Sequence, residues 1–364
     1  MIRLSVPVID RKQVRAVVRV LKSGQLVQGP EVHAFENEVA QLTGATYCIA
    51  VNSGTSALHL GMLASGIGIG DEVIVPSFSF AATANAVALT GANVVFADIC
   101  RDDYNIDPKH VESLITSRTK AIVAVHLYGH PARMDELSTL CKKAGLLLIE
   151  DAAQALGARY HDDPIGSLSH FSALSFYATK NISSGEGGMI ATNEPEVSRL
   201  ARLFRNQGQE IKYRNEVVGF NNRLSDIHAA IGREQLLQLA RWQSVRQSNA
   251  TFLSENLRGV EVPIVRAGMT HAFHQYTIRV TGGHRDKLLE HLAERGVQSG
   301  VYYPTPIHLL PSFAPSMASR AQQVVLPETE AAAREVLSIP VHPSLSKRQL
   351  KKIVDAVNSY GPTG

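Results

Sequence analysis

The sequence predicts an α/β protein: a mixed, mostly parallel sheet covered by helices, followed by a smaller α+β unit. Three observations predict this. Short β-rich runs alternate with helix-patterned stretches through the first two thirds of the chain. That alternation stops after a long helix-like stretch over residues 227–242. At 364 residues the chain is also longer than one ordinary domain, which makes two the natural expectation.

Taken in order, Val14, Val17, Val18 and Leu21 recur at helical spacing behind a possible Asp10 cap, and Gly24 supplies a stop. Residues 48–51 read as a strand and 55–63 as the helix that follows it. The runs 72–75, 93–96, 121–125 and 146–149 read as further strands, with helices over 81–89 and 134–144 between them. Such strand–helix alternation buries a parallel sheet on both faces. Ligands of open α/β sheets sit at the carboxyl ends of the strands, so Asp151, just beyond the 146–149 run, falls where a site residue belongs.

The second unit begins near residue 245, dividing the chain into 1–245 and 246–364. A polar helical connector is expected over 246–257, then a strand over 275–280, a helix over 288–294 and a last helix over 348–358. No internal repeat or low-complexity stretch interrupts the pattern.

Composition narrows the function. Apolar residues make up 45% and charged residues 19%, ordinary values for a folded protein. A net charge of +3, from 36 basic and 33 acidic residues without a dense basic stripe, argues against nucleic acid. Cys48, Cys100 and Cys141 are isolated and odd in number, which suits a reducing cytoplasm and shows no zinc-ligand spacing. No signal-like segment opens the chain, and no apolar run approaches the ~18 residues that a membrane helix needs.

The chemistry centres on Lys180, in Ser175-Phe176-Tyr177-Ala178-Thr179-Lys180-Asn181, ahead of the glycine-rich Gly185-Glu186-Gly187-Gly188. Most lysines are solvated surface charges. This one follows a buried-looking strand, and dehydration lowers a lysine's pKa and makes a nucleophile of it. Asp151 could hold a proton on a bound heterocycle. At about 4 Å and an effective dielectric of about 20 such a pair is worth about 4 kcal/mol, or about three pKa units. Its bland alternative is a capping aspartate. Asn52-Ser53-Gly54-Thr55-Ser56 joins a strand to a helix and could cup a phosphate at the helix N-terminus, although alone it reads equally as a cap that binds nothing. Gln154 could reach a cofactor's phenolic oxygen, and Phe80 could stack on a flat ring or simply pack in the core. Together these residues suggest a Schiff-base enzyme built around pyridoxal phosphate.

Other patterns carry less. Gly66-Ile67-Gly68-Ile69-Gly70 leads into a strand, whereas a dinucleotide fingerprint opens a helix. His126 and His130 lie in a strand-to-loop context without helical metal-ligand geometry. His271 and His274 read as ordinary polar residues, and no metal is expected.

With these residues assembled, the chain resembles the DegT/DnrJ/EryC1/StrS family of pyridoxal-phosphate-dependent sugar aminotransferases over nearly its whole length. The resemblance rests on Gly24-Gln25-Leu26-Val27-Gln28-Gly29-Pro30, Ser53-Gly54-Thr55-Ser56-Ala57-Leu58, Gly70-Asp71-Glu72-Val73-Ile74-Val75-Pro76 and Glu150-Asp151-Ala152-Ala153-Gln154-Ala155. Thr179-Lys180-Asn181, Gly185-Glu186-Gly187-Gly188, Gly219-Phe220-Asn221-Asn222-Arg223-Leu224 and Val301-Tyr302-Tyr303-Pro304, with His308, complete it. It implies a fold-type I homodimer with two shared active sites.

By that resemblance Lys180 forms the Schiff base, Asp151 pairs with the pyridine nitrogen, Gln154 approaches the phenolic oxygen and Phe80 stacks on the ring. Gly54, Thr55 and Ser175 match phosphate-binding positions. Asn221 matches a position reaching the phosphate from the partner subunit, with Arg223 a neighbouring candidate. Tyr303 and His308 lie in the segment lining the sugar site. The implied reaction is a ping-pong transfer from L-glutamate, through pyridoxamine phosphate, to a nucleotide-linked 3- or 4-keto-6-deoxy sugar. Lysine at position 180, where some relatives carry histidine, favours transamination over dehydration. Gln154 matches members acting at C3, while Ser184-Gly185-Glu186-Gly187-Gly188 is nearer the C4 pattern; a keto-inositol acceptor, and a dehydratase of the same family, are the alternatives.

Overall fold

Seven strands form the central sheet in a computed structural model, which describes residues 1–313 and 324–360. From one edge they run Tyr47–Val51, Gly188–Thr192, Phe171–Ser175, Leu147–Asp151, Thr119–Val125, Glu72–Pro76 and Asn93–Ala97. The last five pair in parallel. Gly188–Thr192 is antiparallel to both its neighbours, which makes the sheet mixed but mostly parallel. Alternate residues of a strand serve opposite faces. Val73, Val75, Val123 and Ile149 join one apolar cluster, while Ile74, Ile122, Ala124 and Leu148 join another. Both faces are therefore covered, as the sequence predicts.

Boundaries differ where tertiary pairing extends a run. The strand predicted to stop at Ile149 continues through Glu150 to Asp151, because Val125 and Ala173 pair with Asp151 from either side. Asp151 is thus the last residue of a central strand, and its side chain stands on a rigid element.

The first helix, Arg11–Ser23, has the expected cap: Asp10 Oδ1 accepts from the Lys12 N–H at 2.6 Å, and Gln13 Oε1 accepts from the Asp10 N–H at 2.7 Å. Gly24 ends it at φ 72°, in the left-handed region that glycine tolerates. Its apolar stripe faces away from the core, however. Val14, Val18 and Leu21 are 55%, 42% and 52% exposed, while Gln13, Ala16 and Val20 point inward.

The region around residue 245 is helical, as expected, with the helices divided elsewhere. The long helix divides at Leu237 and Gln238 into Asp226–Leu236 and Leu239–Asn256, and the second of these passes unbroken through position 245. Its Leu239 and Trp242 pack beneath the large sheet; its Ala250 and Leu253 belong to a third apolar cluster. That cluster holds the antiparallel pair Tyr276–Arg279 and Val336–Ile339, the helices Arg285–Glu294 and Lys347–Asn358, and Ile2 from the chain's start. The helical connector expected over 246–257 is the second part of this helix, which links the two bodies of packing. Among the described residues, no helix is long and apolar enough to cross a membrane.

Candidate active site

A cleft of about 460 Å³ opens at the carboxyl ends of the parallel strands, the expected place for a ligand in this sheet type. Its walls bring together Gly54, Thr55, Phe80, Asp151, Gln154, Ser175, Lys180 and Tyr303, which lie far apart in the chain.

One end is an anion cradle. The helix Gly54–Ala64 starts at the end of the first strand, capped by Ser53, whose Oγ accepts from the Ser56 N–H at 3.1 Å. The other first-turn N–H groups have no partner within the helix, and they lie at the positive end of its dipole. Residue 54 must be small, since a Cβ there would lie 2.9 Å from the Ser175 Cβ. The Ser175 Oγ accepts from the Tyr177 N–H at 3.4 Å, leaving its own proton free to donate.

Asp151 stands at the other end, 6% exposed. Its Oδ2 accepts from the Thr83 hydroxyl at 2.7 Å and its Oδ1 from the Ala153 N–H at 3.2 Å. Thr83 in turn contacts the Ser79 hydroxyl at 3.1 Å. Behind it, Glu150 faces the opposite side of the strand, wholly buried, and accepts from Ser172 and Ser169 at 2.5 and 2.8 Å while meeting His126 Nε2 at 3.1 Å. Burial pushes the Glu150 carboxyl up, but His126 and these hydroxyls outweigh it and hold it below the usual range. The strand end that carries Asp151 is thereby pinned from both faces.

Lys180 sits in a tight loop closed by its own N–H to the Tyr177 carbonyl at 2.9 Å and by Ser184 N–H to Phe176 C=O at 2.9 Å. Asn181 anchors the loop by donating from Nδ2 to the Ala272 carbonyl at 2.9 Å. Burial lowers the Lys180 amine from its ordinary value to about 8, against the opposing pull of the Asp151 carboxylate. Modification of Lys180 by an amine-reactive reagent in cofactor-free protein is accordingly expected to reach half its maximal rate near pH 8. Peptide mapping across a pH series reads it; a midpoint near that of an ordinary lysine contradicts the desolvation.

Gln154 is held at both ends of its amide: Oε1 accepts from the Tyr128 N–H at 2.7 Å, and Nε2 donates to the Tyr303 hydroxyl at 2.8 Å. Tyr128 and Tyr303 both adopt left-handed backbone, φ 58° and 62°, an uncommon conformation for bulky residues that is often kept at functional sites. Phe80 is 62% exposed, a flat apolar face presented to the cleft.

Three sequence candidates stand elsewhere. Asn221 is exposed on a segment bridged to Asn206, and Arg223 donates to Asn206 Oδ1 at 2.9 Å; neither lines this cleft. His308 is buried, its Nδ1 2.7 Å from the Ser77 Oγ and its Nε2 3.7 Å from Glu330, so it props the Tyr303 segment from behind. In the other direction, Thr83, His274, Gln275 and Tyr302 were not picked out by sequence reasoning. His274, read there as an ordinary polar residue, lines the cleft beside Lys180.

The donor set fits pyridoxal phosphate: a helix N-terminus with hydroxyls for the phosphate, a carboxylate for the ring nitrogen, an exposed phenylalanine for the ring face and a dehydrated amine. Solved structures and curated relatives agree. The structure of DesV from S. venezuelae superposes with a TM-score of 0.92 at 40% identity, covering 96% of this chain and 94% of that one. A dTDP-3-amino-3,4,6-trideoxy-alpha-D-glucose transaminase of Streptomyces venezuelae is 41% identical over 95% of this chain and 91% of its own. A UDP-N-acetyl-3-dehydro-alpha-D-glucosamine 3-aminotransferase of Acidithiobacillus ferrooxidans is 39% identical over 93% of this chain and 91% of its own. Residues 7–358 match the profile of one family, and with the fold and cleft above they make this chain a member of the DegT/DnrJ/EryC1/StrS aminotransferase family, whose enzymes depend on pyridoxal phosphate.

Proposed function

We propose that this chain is a homodimeric, cytoplasmic aminotransferase that moves the amino group of L-glutamate onto C3 of a nucleotide-linked 3-keto sugar. The observation that carries the reading is Lys180: an amine lowered to about 8 by burial, in a cleft that also holds Asp151 and an anion cradle. When bound, pyridoxal phosphate supplies an aldehyde that accepts the amino group and a ring that stores an electron pair.

The protein's part is then defined. Gly54, Thr55 and Ser175 hold the phosphate, Phe80 covers the ring, and Gln154 fixes the ring oxygen. Asp151 keeps the ring nitrogen protonated. Lys180, neutral in its dehydrated setting, would take the α-proton of the donor as general base and return it from the same face at the other end of the exchange. The acceptor half repeats these transfers in reverse.

The position of amination is supported by the two relatives above, named for 3-amino or 3-dehydro sugars on different nucleotides. A dimer is supported by Asn221 and Arg223 lying outside their own cleft, by exposed Tyr177 and Phe220, and by the outward apolar stripe of the first helix. Three buried, unpaired cysteines support a reducing compartment. The test loads the enzyme with pyridoxamine phosphate and offers 3-keto and 4-keto nucleotide sugars and keto-inositols. Return of absorbance at the violet edge is expected with a 3-keto sugar. Faster return with a 4-keto sugar or a keto-inositol refutes the C3 assignment, and light scattering at monomer mass refutes the dimer.

A further inference from the structure

We propose that Arg246 binds a carboxylate of the amino donor, in a recess that adjoins the cleft beside Lys180. Three arginines are buried among the described residues. Arg205 meets Glu36 at 2.6 Å and Arg279 meets Glu335 at 2.6 Å. Arg246 has no such partner among them: its one hydrogen bond runs from Nη1 to the Phe273 carbonyl at 3.1 Å, and its Nε has none. Burying a charge without a counter-charge is costly, and a fold that tolerates it leaves a place for an incoming anion.

The recess is narrow, with a cavity volume of about 20 Å³, room for a small group such as a carboxylate. Thr179, His274, Gln275 and Tyr302 line both it and the large cleft, so the two share a wall next to Lys180. Among the described residues no aspartate or glutamate lines it. His342 Nδ1, also on its wall, is likewise unpartnered. Burial, then Lys180 and Arg246, keep the His274 imidazole neutral, and its Nδ1 is already turned to the Asn181 Oδ1 at 3.4 Å. One guanidinium fork, neutral donors and apolar walls from Ile339 and Val341 match a carboxylate. A nucleoside diphosphate is too large and too highly charged for this space. Because Thr179 precedes Lys180, a carboxylate held here belongs to the molecule whose nitrogen reaches that lysine.

This rests on the glutamate-dependent reading above, and the experiment separates the two. The holoenzyme is titrated with glutarate, an unreactive dicarboxylate, by calorimetry; in parallel, the L-glutamate concentration for half-maximal bleaching of the bound cofactor is measured. Arg246→Gln is expected to raise that concentration ~10- to 100-fold, the loss of a charge-assisted pair, to weaken glutarate in proportion, and to slow the acceptor half-reaction at least about tenfold less. Ser5→Phe, which puts a large ring at a residue lining the narrow recess and leaves Arg246 itself in place, is expected to do the same if Arg246→Gln does not fold. Either variant, folded and cofactor-loaded, with wild-type glutamate and glutarate responses overturns the inference. Wild-type enzyme that binds glutarate through Arg246 but is not bleached by glutamate overturns the donor assignment and leaves the carboxylate site standing.

Discussion

Lys180→Ala is expected to lower the rate of transamination by at least ~10³-fold and to leave the folded protein intact. A positioned base is worth roughly 10²- to 10⁴-fold, and this side chain also supplies the amine that holds the cofactor, so the two losses compound. The fold is indifferent for a specific reason. Asp151, the nearest opposite charge, keeps its bonds from Thr83 and Ala153 when the amine is gone. The lysine is moreover a strained guest. Its pKa falls from 10.5 to about 8 on folding, so the native state disfavours the charged form relative to the unfolded chain. That penalty is fully present below pH 8 and fades as the pH rises from 8 towards 10.5. Cofactor-free Lys180→Ala is therefore expected to melt at or above the wild-type temperature at pH 7. Stopped-flow absorbance with L-glutamate and a thermal melt read the two halves; a variant that still turns over removes Lys180 from the mechanism.

The parts of this site that were legible in the sequence are those made by neighbours in the chain. Strand-to-helix turns at Ser53–Gly54 and at the end of the 147–151 strand announce themselves through glycine, hydroxyl and acidic residues at a change of period, and Lys180 through the strand before it and the glycines after it. Thr83 could not be found this way. It is 68 positions from Asp151 and meets it only because the parallel strands bring their carboxyl ends together. Arg246 and His274 arrive from a helix and a strand approach far beyond the first sheet, and nothing local distinguishes a buried unpaired arginine from a solvated one. Periodicity misled in two places for related reasons. It detects that the first helix has an apolar stripe but not that the stripe is turned outward. It also separates a helix over 227–242 from a helical connector over 246–257, although Leu239, Trp242, Ala250 and Leu253 are the buried face of one continuous helix. The resemblance sets His308 in the segment lining the sugar site; in the structure its ring tucks behind that segment onto Ser77.

Asp151→Asn is expected to slow proton removal from the donor by ~10³-fold, the second large effect. A contact ion pair at an effective dielectric of about 20 is worth roughly 4 kcal/mol, about three pKa units on the group it serves. Asparagine keeps the shape and can still accept from Thr83, so the strand end stays in place while the charge that holds the ring nitrogen's proton is lost. Thr83→Val separates charge from position. It is close to isosteric, removes one hydrogen bond to an ionised acceptor worth about 1.5–3 kcal/mol, and leaves Asp151 with only the Ala153 N–H. A loss of ~10- to 100-fold is expected, smaller than that of Asp151→Asn, and Thr83→Ser should restore most of it because the hydroxyl returns. If Thr83 acts by orienting the carboxylate, kcat for the glutamate half-reaction falls while the glutamate requirement stays near wild type. If it only supports the fold, its melting temperature drops and the rate per folded enzyme does not. Asp151→Asn within tenfold of wild type would mean that the ring nitrogen needs no partner here, and Thr83 would then have nothing catalytic to position.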